Sequence, residues 1–285
     1  LGSAALVAAA AYGLHVSHKP RSPASLGPTA GNVVATYQPA VANGLITNEY
    51  TAYNPDDPAA KKSPDWIMTS GSLFTKDGSF WTGKPDSCND GPNADSTNCT
   101  NSDVFRLNSA KKFSGNVSVS VTVKQNSDIH DLNCNKGDTC WHGAHIWLGY
   151  QSEFNLYYVS VNRADNNVVI KRKIPCGDDN NGTYKELSRY VSHPFTTGTW
   201  NTYTATLHHN TDGSNAISLY DQASGNTPIV TGVDRGGTNP NWAADCDAPG
   251  KYPSASYQPI GDTGSIGMRG DFSDMQFKDL VVRQQ

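Results

Sequence analysis

The segment HGAHIWLGYQSEFNLYYVSVNR, residues 142–163, gathers side chains that can move protons or hold a polar ligand. His145 and Tyr158 can donate or accept a proton, and Glu153 is the one carboxylate in the stretch. Asn162, Gln151 and Ser160 can hydrogen-bond hydroxyls or a carboxylate; Arg163 and the nearby Lys171 can neutralise an anion; Trp147 offers a ring for stacking. Two reactions suit this inventory. Hydrolysis of a glycosidic bond needs two carboxyls, about 5 Å apart or farther. Elimination beside a uronate carboxylate needs that carboxylate neutralised, an acceptor for the proton α to it, and a donor for the leaving oxygen. Glu153 has no partner acid at a fixed spacing, although a loop acid such as Asp271 could supply one. His145, Tyr158, Glu153 and Asn162 are the catalytic candidates, and elimination fits them slightly better than hydrolysis. Trp147, Gln151, Ser160, Arg163 and Lys171 are the substrate-binding candidates.

Other chemistries are poorly represented. His142 and His145 stand three apart, which on a strand sends them to opposite faces and argues against a shared metal. His208 and His209 split in the same way. There is no GxSxG elbow and no phosphate-cradling glycine loop, so no organic cofactor is expected. The net charge of −4 leaves no basic footprint for nucleic acid.

The elements that must carry these residues read as strands. In NVSVSVTVKQ, residues 116–125, Val117, Val119, Val121 and Val123 alternate strictly with Ser118, Ser120 and Thr122. AHIWLGY (144–150) and NLYYVSVN (155–162) alternate too, placing Ile146, Leu148 and Tyr150 opposite His145 and Trp147, and Tyr157, Val159 and Val161 opposite Tyr158, Ser160 and Asn162. VVIKRK follows the turn ADNN as a third strand of the meander, and TWNTYTATLHH, NAISLYD, GSIGMRG and MQFKDLVVRQ continue the pattern. GTYKELSRYV, residues 182–191, is the one expected short helix. Charged residues are only 17% of the chain, and the polarity comes from Asn, Ser, Thr, Gly and Asp, the currency of turns. The expectation is an all-β antiparallel sandwich of about a dozen strands over 45–285.

The six cysteines, Cys88, Cys99, Cys134, Cys140, Cys176 and Cys246, are even in number and form no CxxC pair. That favours disulfides over zinc, and proximity suggests Cys88–Cys99, Cys134–Cys140 and Cys176–Cys246 among fifteen pairings. Residues 1–16 form an Ala-rich apolar stretch that reads as the rear of an export signal or an anchor. Residues 17–44 are rich in Pro, Ser and Gly and read as a linker. Together these features predict a secreted or cell-surface monomer, with membrane or envelope attachment through the first segment.

FRLNSAKKFSGNVSVSVTV, LGYQSEFNLYYVSVNRADNNVVIKRK, GTWNTYTATLHHNTDGSNAISLYD and GSIGMRGDFSDMQFKDLVV resemble the concanavalin A-like, or LamG-type, jelly-roll superfamily, most closely its secreted actinobacterial members. The resemblance spans roughly residues 45–285. It implies a concave groove for a polysaccharide partner, and in many members a structural Ca2+ between the first and last strands. Glu49 in NEYTAYNPDDP and Asp279 in FSDMQFKDLVV are the matching candidate ligands. The superfamily contains laminarinase-type hydrolases, alginate- and glucuronan-lyase-type enzymes and non-catalytic lectins. The chain lacks the E-x-D-x-x-E strand of the first group and the R-x-E-x-R strand of the second, so the resemblance implies a fold and a ligand class but no single activity.

Residues 142–163 have two possible placements, and strand alternation favours the first, with His145 in the groove and not in the core. In one, His145, Trp147, Gln151, Tyr158, Ser160 and Asn162 display a groove, and His145→Ala leaves stability nearly unchanged. In the other they form a second buried layer, and the same change is destabilising.

Overall fold

The computed structural model describes residues 27–40, 42–83, 104–130, 141–174, 182–236 and 258–285. In chain order the strands are β1 (Asn32–Tyr37), β2 (Gly44–Asn48), β3 (Trp66–Ser70), β4 (Ser72–Lys76), β5 (Ser79–Trp81), β6 (Val104–Ser114), β7 (Val117–Gln125), β8 (Gly143–Ser152) and β9 (Asn155–Val161). They continue as β10 (Asn167–Ile174), β11 (Thr183–Glu186), β12 (Val191–Ser192), β13 (Trp200–His209), β14 (Asn215–Asp221), β15 (Val230–Asp234), β16 (Thr263–Asp271) and β17 (Met275–Gln284). One helical turn, α1, spans Tyr50–Tyr53. Among the described residues no helix is long and apolar enough to cross a membrane.

The strands form two antiparallel sheets packed as a sandwich. The first runs β15-β14-β13-β7-β17-β5-β4-β2, with β1 also paired to β17. The second runs β11-β10-β9-β8-β16-β6-β3, with β12 on β10. Period-2 alternation builds the space between them. Val117, Val119, Val121 and Val123 from β7 face Ile146 and Leu148 from β8, Tyr157, Val159 and Val161 from β9, and Leu107 and Met268. Each such fully buried side chain contributes about 1.5–3 kcal/mol of apolar transfer. Their partners on alternate positions are thereby turned outward.

Three expectations need correction. The stretch read as linker, 17–44, contains β1, which pairs with the last strand from Asn32↔Gln284 to Tyr37↔Leu280. The alternation of Val33–Tyr37 is short, and the Pro- and Gly-rich neighbours hide it. The segment 182–191 is not helical: β11 and β12 pair with β10, because its residues complete an exposed sheet edge. Tyr150 does not share a face with Ile146 and Leu148. A bulge between Leu148 and Ser152 shifts the register, with Gly149 at φ +59°, and Tyr150 stacks on Trp147 at 5.2 Å between centroids. Gly264 of β16 crosses the bulge so closely that it must be glycine too, since a Cβ on it would lie 2.6 Å from the Gly149 carbonyl carbon. All six cysteines, and the segment 1–26, lie outside the described residues.

One polar group is sealed in the core. Arg172 of β10 reaches across to Asp234 of β15 at 2.5 Å, joining the two sheets. Tyr157 donates to the same carboxylate at 2.7 Å, and Asn215 donates to the Tyr157 hydroxyl at 2.8 Å. A buried ion pair adds little against an apolar replacement, but removal of one partner strands a charge. Asp234→Ala is therefore expected to cost about 3–5 kcal/mol, measured by urea unfolding. A loss below about 1 kcal/mol would mean that water or another group compensates Arg172.

Candidate functional site

The outward face of the second sheet carries a cleft of about 570 Å³ lined by Val104, Arg106, Trp141, His145, Tyr158, Ser160, Arg163, Lys171, Tyr184, Arg269 and Asp271. Strand register decides what meets there. Arg106 of β6, Arg269 of β16, His145 of β8 and Ser160 of β9 stand opposite one another in a single row across four strands. In the next row Trp147, Tyr158, Lys171 and Glu186 stand opposite one another from β8 to β11. Asp271 lies two residues beyond Arg269 and pairs with Gly143, where a Cβ would lie 2.7 Å from the Asn162 carbonyl oxygen.

His145 is held at both ring nitrogens. Nε2 lies 2.8 Å from Asp271 Oδ2, and Nδ1 lies 2.8 Å from the Ser160 hydroxyl. Burial would raise the Asp271 carboxyl, but the Arg269 charge and the His145 hydrogen bond bring it down to about 2. Being ionised, it can only accept, so His145 Nε2 carries the proton and Nδ1 presents its lone pair to Ser160. Burial pushes His145 below its ordinary value against the pull of Asp271, which keeps the ring neutral at neutral pH.

Arg269 links the two halves of the site. Its Nε donates to Asp271 Oδ1 at 2.7 Å, and its Nη1 donates to the Tyr158 hydroxyl at 2.7 Å and to Tyr184 at 3.2 Å. The two tyrosine hydroxyls are 3.1 Å apart. Burial raises Tyr158 well above its ordinary value, outweighing the nearby Arg269 charge, so the phenol stays protonated. Arg163 makes a two-pronged contact with Asp165 at 3.0 and 2.7 Å, and Lys171 sits 3.8 Å from Glu186. Arg106 is the exception. It is half-buried, faces the cleft directly opposite Arg269, and has no ion-pair partner among the described residues. Like charges directly opposite on neighbouring strands are unfavourable unless an anion lies between them.

Of the candidates read from sequence, His145, Tyr158, Ser160, Arg163 and Lys171 line this one cleft. Four others do not. Trp147 is 1% exposed and packs with Leu156 and Tyr158 in a small apolar cluster beneath the surface. For it the buried-layer reading holds. Asn162 has φ +47° and turns inward, where its Oδ1 accepts from Tyr203 of the opposite sheet at 2.7 Å. The left-handed residue breaks the alternation on which the reading relied. Glu153 is exposed on the β8–β9 turn, and Gln151, beyond the bulge, donates to the Thr263 carbonyl at 2.5 Å.

The metal pair is not assembled either. Glu49 is buried and accepts from the Gly71 N–H at 2.6 Å, whereas Asp279 is an exposed bulge residue at φ +52°. β17 is separated from β2 by β5 and β4, so the ends of the chain meet through β1 and not through Glu49. Among the described residues no group of three or more His, Cys, Asp or Glu could hold a metal ion.

Sequence reasoning missed Arg106, Arg269, Tyr184 and Trp141, and left Asp271 as a loop acid. A signal existed in GMRGD: Arg269 and Asp271 flank Gly270 on a strand, which places both on one face.

No protein-family model matches the chain. No curated protein sequence matches it significantly. Among solved structures it is similar to the carbohydrate binding module CBM66 from Bacillus subtilis, at 8% identity over 77% of this chain and 96% of that one, with a TM-score of 0.46. A glycosyl hydrolase family protein from Mycobacterium fortuitum aligns at 12% identity over 88% and 99%, TM-score 0.41. An endo-beta-1,4-glucuronan lyase from the fungus Trichoderma reesei aligns at 6% identity over 85% and 95%, TM-score 0.38. At such scores these likenesses carry no argument about ligand or reaction, and the sandwich rests on its own strand pairing.

The buried network has a stability signature. His145 has a folded value below its unfolded 6.5, so stability falls as pH drops below 6.5 and the unfolded chain takes up the proton. Asp271 behaves in the same direction lower down: its stabilisation is present above 3.8 and lost as pH falls through about 2. Urea unfolding at successive pH values should show both declines, and His145→Gln should abolish the first. His145→Ala should cost about 1–3 kcal/mol at pH 7, since it orphans Ser160 and Asp271. An unchanged pH profile in His145→Gln would assign the first decline to another histidine.

Proposed function

We propose that this protein is an exported binder of acidic polysaccharide that cleaves its ligand by β-elimination in the cleft. The observation that carries the reading is Arg106, a cation without an acid partner among the described residues, set opposite Arg269 in a cleft that also holds a protonated tyrosine and a neutral histidine. A uronate carboxylate entering beside Arg106 and Arg269 has its charge offset by the guanidiniums, which acidifies the α proton. Export is supported by the apolar first segment and the even cysteine count.

The steps follow from what each atom can do. Ser160 Oγ faces the cleft and is backed by His145 Nδ1, so this pair accepts the proton α to the carboxylate. Asp271 stabilises the imidazolium that forms, through Nε2. The electron pair of the broken C–H bond becomes the new C=C bond, and the C–O bond to the neighbouring sugar breaks. Tyr158, protonated and oriented by Arg269, gives its proton to the leaving oxygen. Solvent exchange then returns both groups to their starting states. Hydrolysis is less well supported: Asp271 is the one carboxylate among the described lining residues, and Arg269 and His145 already engage it.

The rival reading is a non-catalytic module for acidic glycans. It is favoured by the complete hydrogen-bond occupation of His145, which leaves no ring nitrogen facing the cleft unengaged.

Incubation with a panel of uronic-acid and neutral polysaccharides separates these readings. The expected result is ultraviolet absorbance from unsaturated uronate ends with uronate polymers only. Tyr158→Phe should lower that rate by about 10²–10⁴-fold, and Arg106→Ala should chiefly raise KM. New reducing ends without the absorbance would mean hydrolysis, and retention without any product would mean a binding module.

A further inference from the structure

The cleft ends in an aromatic wall that neither the core nor the proton-transfer network uses. Trp141 lines the cleft and is 37% exposed; Phe272, next to Asp271, is 38% exposed. His142 lies between them. Its ring stacks on Phe272 at 4.4 Å with 28° between planes and meets Trp141 edge-on at 4.6 Å. Trp141 and Phe272 are themselves edge-to-face at 6.0 Å.

The backbone gives an independent indication. Phe272 has φ +49°, a left-handed conformation that glycine or asparagine adopts readily and a bulky side chain does not. The conformation is imposed from below. Ser273 Oγ donates to the Asp271 carbonyl at 2.9 Å, Thr82 Oγ1 donates to the Ser273 carbonyl at 3.0 Å, and the Met275 N–H donates to Thr82 Oγ1 at 3.1 Å. Thr82 and Ser273 are fully buried. The corner that aims Asp271 at His145 therefore forces residue 272 into the left-handed region. A glycine would satisfy the corner without strain. A phenylalanine there keeps a large apolar ring in solvent and bears the backbone cost as well. Strained backbone of this kind persists where the surrounding structure over-determines it, and it clusters at active sites and ligand clamps.

We infer that Trp141, His142 and Phe272 form a sugar-stacking subsite at the end of the cleft, taking the apolar face of a pyranose ring one or more units from the bond that reacts. The inference rests on the acidic-glycan reading and deepens it. The wall bears no carboxylate and no cation of its own beyond what His142 gains on protonation, so it recognises the ring and not its charge. Arg106 and Arg269 then read the carboxylate of a neighbouring unit. The subsite acts as a positioning device: it holds the chain in register with Tyr158 and Ser160.

The test uses a Tyr158→Phe parent, which binds with little turnover, and titration calorimetry with uronate and neutral oligosaccharides of increasing length. Trp141→Ala and Phe272→Gly in that parent should each weaken the Kd for longer uronate oligosaccharides about tenfold, with disaccharide affinity unchanged. Phe272→Gly should keep or raise Tm, because it removes strain and little packing. Phe272→Asn, which also tolerates the left-handed region, should reproduce the weakened binding if the glycine variant folds poorly. Unchanged Kd at every length overturns the wall while the cleft reading stands. A lowered Tm with unchanged Kd assigns Phe272 to packing and also overturns it. A parent that binds no oligosaccharide overturns both proposals. Binding that depends on the wall, in a wild-type protein that releases no unsaturated product, supports the subsite and overturns the elimination.

Discussion

The Asp271 carboxylate is the point on which the cleft depends. It is buried, and it is shared between the Arg269 guanidinium and the His145 ring. Without it, Arg269 would lose its acid partner, with Arg106 directly opposite and Arg163 and Lys171 lining the same cleft. A buried guanidinium stays charged at neutral pH, so an arginine left there without a partner destabilises the fold. Because the carboxylate can only accept, it also fixes the tautomer of His145 and leaves Nδ1 toward Ser160. Because it anchors one edge of Arg269, the other edge is free to hold Tyr158 and Tyr184. One acceptor thus sets the orientation of four other side chains.

Two of the Arg–Asp pairs serve different ends. Arg172 and Asp234 lie on the inward side, where both sheets close over them; Tyr157 and the Gly236 N–H donate to Asp234, and Arg172 also donates to the Gln258 carbonyl and to Asn155. Nothing from solvent can reach that pair, so its role is to tie β10 to β15. Arg269 and Asp271 lie on the outward side of the same sheet, at the floor of an open cleft. Their neighbours are titratable or cationic, and their geometry can respond to an entering anion. The difference comes from strand alternation: two arginines on opposite faces of one sheet, each paired with an aspartate, become a staple and a site.

The departures from regular alternation give the cleft its limits. The bulge at Gly149 turns Tyr150 onto Trp147 and takes Gln151 out of the row that holds His145. The left-handed turn at Asn162 draws that residue into the core and ends the displayed face of β9. At the far end, the left-handed Phe272 closes the row beyond Asp271 with an aromatic ring. Between these three irregularities the rows are regular, and that interval is where His145, Ser160, Tyr158 and Arg269 converge.

The sequence by itself determined the class of fold and the face on which most of the site lies. Period-2 alternation in 117–123, 144–148 and 155–161 is a local property, dictated by where Cβ atoms point on a strand, and it holds in the sandwich. It correctly put His145, Tyr158 and Ser160 on one side and Lys171 with them. It failed at Trp147, because a residue on the outward face can still be covered by its neighbours, and at Asn162, because a single positive φ reverses the count. What only the tertiary structure decided was the order of strands. β16 enters between β6 and β8 from more than a hundred residues away and brings Arg269 and Asp271 beside His145, with Arg106 opposite. No local pattern encodes that neighbour relation. It follows from which strands can bury their apolar faces together, a property of the whole chain.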